Sequence, residues 1–130
     1  MPDSSRLLME LVTQTLSSVV FVADYVQLDF NGPRLSCFVW PVVRTSSTEV
    51  RFGDPGYRDA LCSLLMRDVT EAIDRPERGI VLGFGDDEIW MKASADDLVG
   101  VEIAMLQMNN DAHEWDIWRP GEGSFEHGDW

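Results

Sequence analysis

Carboxylates are the commonest reactive groups in this chain, 23 Asp and Glu against ten Lys and Arg. Three of them adjoin at Asp86-Asp87-Glu88. A hard cation such as calcium asks for six or more oxygens converging from a shaped loop, and this short turn supplies too few. Those residues therefore read as a solvated hairpin tip. Gly83-Phe84-Gly85 just upstream lacks the third glycine and the following helix of a dinucleotide fingerprint. The two histidines, His113 and His127, have no Cys or His neighbour at zinc-ligand spacing. Cys37 and Cys62 lie in no nucleophile motif, and no G-x-S-x-G occurs. Carboxylate pairs for acid–base work are so abundant that their positions carry no information. Neither a metal nor a cofactor is expected, and the chain reads as non-catalytic.

Aromatic side chains are the better clue. Leu35, Cys37 and Val39 alternate on one face of a strand, which sends Phe38 and Trp40 to the other. Packing beneath a helix is expected for both. Trp90 and Lys92 take the corresponding outward face later in the chain. Trp115 and Trp118 stand beside Glu114 and Asp116, an arrangement that suits either burial in the core or a role as apolar anchors within a charged rim. The candidate partner-binding residues are accordingly Asp86, Asp87, Glu88, Glu114, Trp115, Asp116 and Trp118.

Charge narrows the choice of partner. The net charge is −13. It is unevenly spread, with sixteen acids in residues 61–130 against seven in the first sixty. Such a surface repels phosphates, which argues against DNA or RNA and favours a basic protein. No run of eighteen apolar residues exists to span a membrane. MPDSSRLLMELV lacks the basic and apolar regions of a signal peptide, so a cytoplasmic location is expected, with both cysteines as buried, unbridged thiols.

The elements that must carry these residues look paired. Val26, Leu28 and Phe30 alternate and are followed by Asn31-Gly32; Ile80, Leu82 and Phe84 alternate and are followed by Gly85-Asp86. The next strands match too, Leu35, Cys37 and Val39 over Ile89, Met91 and Ala93. Two β-meanders are expected, at residues 15–40 and 68–94, and a spacing of about fifty-four residues points to an internal repeat. Val19–Val22 is expected to be covered on both sides, and the third strand to run from Pro33 to about Val43. Leu7, Leu8, Leu11 and Val12 lie on one face of a short N-terminal helix. Tyr57, Leu61, Leu64 and Leu65 do so on the main helix, with Asp54 as its expected cap and Pro55 as its first residue. Glu102–Met108 and His113–Trp118 form an expected final hairpin.

The duplicated meander, with the ending Trp118-Arg119-Pro120-Gly121-Glu122-Gly123, resembles a family of small bacterial domains of unknown function. That resemblance implies a small cytosolic β-rich domain and brings no activity with it. The chain thus reads as one domain, residues 1–130, of α+β class. Two repeated antiparallel β-meanders form a curved sheet or open barrel, with one main helix between the repeats and a short N-terminal helix. The expected role is non-catalytic binding in which an acidic face meets a basic partner, as an immunity or inhibitor-type protein does. One alternative is a small-molecule carrier with an apolar cavity, which a void of several hundred cubic ångströms would favour. Another is a structural or oligomer-forming module, a homodimer included.

Overall fold

Alternation of apolar residues makes strands here, and the strands divide between two sheets. The computed structural model describes residues 6–75, 79–91, 103–108 and 111–119. Their elements in chain order are α1 (Arg6–Met9), β1 (Ser18–Phe21), β2 (Val26–Asp29), β3 (Arg34–Cys37), β4 (Val42–Arg44), β5 (Glu49–Val50), α2 (Tyr57–Cys62), β6 (Glu71–Arg75), β7 (Gly79–Phe84), β8 (Asp87–Met91), β9 (Ala104–Met108) and β10 (Asp111–Trp118). The first sheet has the order β1-β2-β3-β9-β10 and the second β5-β4-β8-β7-β6, with every pairing antiparallel. The expected single curved sheet or open barrel gives way to this pair of sheets. The chain bends at Phe38 and Val39 after a last bond from Phe38 N–H to Ile103 O, and enters the second sheet at Val42, just past Pro41, which has no N–H to give a ladder. The third strand therefore stops well short of Val43.

Each meander thus hands its next strands to the other sheet. β4 and β5 follow β3 but pair beside β8, whereas β9 and β10 follow β8 but pair beside β3. Backbone bonds also recur about 53 residues apart. Thr13 N–H donates to Val69 O and Met66 N–H to Leu16 O, both at 2.8 Å. Leu16 N–H donates to Arg67 O and Val69 N–H to Gln14 O, around an isolated bridge between Thr15 and Asp68. Asn31 N–H bonds Ser17 Oγ at 3.2 Å, as Gly85 N–H bonds Thr70 Oγ1 at 3.0 Å. Thr13 and Met66 both hold positive φ, 78° and 70°.

The inward faces make one core. Leu28, Leu35 and Leu106 of the first sheet meet Ile80, Leu82 and Ile89 of the second, all fully buried. Leu7 and Leu8 enter it from α1, which packs on β6, β9 and β10, and Leu11 enters from the turn after it, because the helix ends at Met9, short of the expected Leu11 and Val12. Tyr57, Leu61 and Leu64 enter from α2 and the turn after it, with α2 against β4. α1 therefore lies where β6, an edge of the second sheet, comes beside β10, an edge of the first.

Several details differ from the sequence reading. α2 is a turn and a half, and Leu64 and Leu65 follow it in turns; Leu64 is buried and Leu65 half-buried. Its cap is Gly56, left-handed at φ 82°, with no side-chain capping bond. Asp54 instead turns back to accept the Arg51 N–H at 2.9 Å. β1 is an edge strand and Val20 is exposed, so no second layer covers it. Cys62 is exposed, because Tyr57 and Leu61 take the buried side of α2. Gly85-Asp86 makes the β7–β8 turn, while Asp87 and Glu88 already belong to β8. The turn expected at residues 76–78, the end of the second meander from Lys92, the connection at 95–97, His127 and the tail from residue 120 lie outside the described residues. Among those described, no helix is long and apolar enough to cross a membrane.

Candidate binding surface

β10 carries four of the candidate residues along the edge of the first sheet. It pairs with β9, with Trp115 opposite Gln107, Asp116 opposite Leu106, Ile117 opposite Met105 and Trp118 opposite Ala104. Successive strand residues point to opposite faces, so a separation of three divides the two tryptophans. Trp118 turns inward and is 5% exposed, and its indole Nε1 donates to the buried Asp74 Oδ2 at 2.8 Å. That bond ties β10 to β6 across the two sheets. Trp118 is a core residue, not the partner contact that its position beside Asp116 suggests. Trp115 turns outward and is 50% exposed.

The acids beside Trp115 do not ring it. Asp116 shares the inward side with Trp118 and is half-buried. Glu114 is exposed but lies toward α1, 3.7 Å from the Arg6 guanidinium. On the face of Trp115, the same cross-strand row continues through Gln107 and Arg34 to Asp29 and Ser18. Arg34 Nε donates to Asp29 Oδ1 at 2.6 Å and Ser18 Oγ to Asp29 Oδ2 at 2.5 Å. The Arg34 hydrogen bond holds the Asp29 carboxyl below its ordinary value, outweighing partial burial. The adjacent row runs Val20, Gln27, Ser36, Met105 and Ile117.

The other three candidate residues belong to the second sheet. Asp87 is taken up by Arg67, whose Nη1 lies 2.5 Å from its Oδ2 while Nη2 bonds the Phe84 carbonyl. Glu88 pairs with Arg44 at 3.0 Å, in a row that crosses all five strands as Glu71, Gly83, Glu88, Arg44 and Glu49. Asp86 alone of the three is exposed. The candidate residues thus form two groups on different sheets, and three of the acids, Asp87, Glu88 and Glu114, are engaged in internal ion pairs. Arginine carries no sequence signal for which acid it will meet across a sheet, so these pairs are invisible in the chain alone.

Another feature had no sequence forerunner. The β5–α2 connection forms a surface cleft of about 330 Å³ lined by Phe52, Gly53, Asp54, Gly56, Tyr57, Arg58 and Asp59. Phe52 is 54% exposed and stacks on Trp40, with centroids 4.2 Å apart and planes at 14°. Tyr57 meets both rings edge-on, and its hydroxyl donates to the Pro41 carbonyl. Burial raises the Tyr57 phenol well above its usual range. Trp40 therefore lies beside α2 as expected, whereas Phe38 packs on Tyr25.

No protein family, curated protein or solved structure matches the chain. The chemistry must be read from the surface itself. Among the described residues, no three His, Cys, Asp or Glu side chains are grouped to hold a metal ion. Among the described residues, Arg34, Arg44, Arg51 and Arg67 pair with acids within the chain, and Arg6 with Glu10 and Glu114. Arg58 lies over the Phe21 ring at 5.8 Å. Asp24, Asp59, Glu71 and Asp86 meanwhile stand exposed.

Proposed function

We propose that the protein acts by binding a basic protein partner, not by catalysis, and that Trp115 anchors the contact on the outer face of the first sheet. The observation that carries this reading is the half-exposed Trp115 on an edge strand whose companion Trp118 is fully packed. A large aromatic ring held in water on a rigid strand is the side chain most often found at the energetic centre of an interface. Gln107, Met105 and Ile117 extend its face. The acids supply encounter, not the anchor: at −13 the chain attracts a cationic surface over several ångströms. A partner whose activity is restrained this way suits an immunity or inhibitor role, by analogy alone.

The test begins with crosslinking in the native host and mass spectrometry, followed by reconstitution from purified components. Trp115→Ala should weaken the complex by at least about ten-fold, and association should slow steeply with added salt. A captured partner that is acidic, or a complex indifferent to Trp115→Ala, overturns the reading.

We further propose that the halves are two copies of one unit that exchange their last two strands. Support comes from the reciprocal strand order and from the paired bonds around Thr13 and Met66. Both side chains are exposed and both backbones hold positive φ, a region costing roughly 1–2 kcal/mol for residues other than glycine. Thr13→Gly and Met66→Gly should each raise the unfolding midpoint, by similar and additive amounts. A gain at one site and a loss at the other would separate the halves.

A further inference from the structure

The cleft between β5 and α2 is built by other elements than β10, and it carries an inference of its own. We propose that it is a binding site for a guanidinium group.

Phe52 lines it while Trp40, stacked on that ring, does not, and the ring is held by this stack and by the perpendicular Tyr57. Gly53 and Gly56 open the floor. Both have positive φ, 96° and 82°, and a Cβ at either would meet nothing within 4 Å, so the peptide there is bare and accessible. Two carboxylates line the cleft. Asp59 is exposed on the first turn of α2, and Asp54 uses Oδ2 to accept the Arg51 N–H. The lining cation, Arg58, is drawn over Phe21 of β1 and is outnumbered by the two acids.

Those features select the ligand. Two carboxylates against one arginine disfavour phosphates and carboxylates and favour a cation. An aromatic face attracts cations through its quadrupole. A planar, weakly hydrated guanidinium stacks flat on such a ring and bridges to carboxylates in its own plane, whereas a compact ammonium keeps its water. The volume, about 330 Å³, takes an arginine-sized arm but not a folded polypeptide segment. The group can arrive on a free small molecule or on a peptide, and the chemistry of recognition is shared.

Agmatine and acetyl-Gly-Arg-Gly-amide are the probes, with the citrulline counterpart of the peptide as the uncharged shape control. Each is titrated into the ¹⁵N-labelled protein while the Gly53 and Gly56 amides and the Trp40 indole N–H are followed by NMR. Saturable shifts at those three signals are expected with the arginine probes. Phe52→Ala should weaken binding about ten-fold and Asp59→Asn about five-fold, since each removes one of the two attractions. Asp59→Asn should keep the wild-type spectrum elsewhere, whereas Phe52→Ala removes the stack on Trp40, so its affinity is read from the Gly53 and Gly56 amides. Agmatine binding at least as tightly as the peptide assigns the site to a small molecule; the reverse order assigns it to a protein side chain. Citrulline binding within two-fold of arginine, affinities unchanged in both variants, or no shift at the three signals would overturn the proposal. Trp115→Ala should leave this titration unaltered, so failure here is separable from failure of the β10 contact.

Discussion

Trp118→Phe removes one buried hydrogen bond and part of the indole's apolar contact, and its cost measures how firmly the two sheets are joined. The wild-type indole donates to the Asp74 carboxylate at 2.8 Å, with Trp118 5% and Asp74 2% exposed. A hydrogen bond to a charged group is worth roughly 1.5–3 kcal/mol, and the carboxylate left one donor short receives no water in exchange. The smaller ring also gives up roughly 40 Å² of apolar contact, or about 1 kcal/mol. The sum is about 3 kcal/mol. A chain of 130 residues unfolds with an entropy near 0.27 kcal/mol/K at roughly 2.1 cal/mol/K per residue, so the midpoint should fall by about 11 °C. Differential scanning calorimetry reads this directly. Asp74→Asn keeps an acceptor for the indole and should cost less. The double variant should cost about 1 kcal/mol less than the sum of the singles, because the residues share one bond. A midpoint within about 3 °C of wild type for Trp118→Phe would show that the sheets are held by apolar packing alone.

Leu64 is 1% exposed in the turn after α2, and Leu64→Ala should cost about 2–5 kcal/mol in chemical denaturation; an unchanged midpoint would deny that this turn packs on the core. Cys62 is exposed, whereas Cys37 is buried and its thiol is pushed up by burial, so a thiol reagent should modify one cysteine in the native protein and the second only after unfolding. Modification of both at one rate would contradict the burial of β3. The Asp29 carboxyl is held below its ordinary 3.8, first by its Arg34 hydrogen bond. A carboxyl lowered in the folded state gives stability that is present above the unfolded value and is lost as pH falls through the folded one. Asp29→Asn should therefore flatten the acid limb of the stability–pH curve below about pH 4, and an unaltered limb would refute the assignment.

Period-two alternation was enough to find β2, β3, β7 and β8, because the side of each residue follows from local geometry, but not where β3 ends or where β8 begins. The same rule sets Trp115 and Trp118, three residues apart, on opposite faces of β10, so that only one of them can join the core. Composition fixed the −13 charge and the scarcity of lysine. Which sheet a strand joins is another matter. Val42–Arg44 and Glu49–Val50 follow the first meander in sequence, yet pair with the second sheet, since strand order is set by burial between distant segments. Arg67 meeting Asp87 and Arg44 meeting Glu88 depend on that order, so two acids that looked free are internal partners. Asp54 had the right type and place for a helix cap, but the turn it makes with Arg51 gave the capping position to Gly56. The Phe52 cleft needed both the β4–β5 excursion and α2, because Trp40 and Tyr57 hold the ring from either side of it in the chain. Local pattern determined which residues face inward; only packing between elements decided which outward residues stand together.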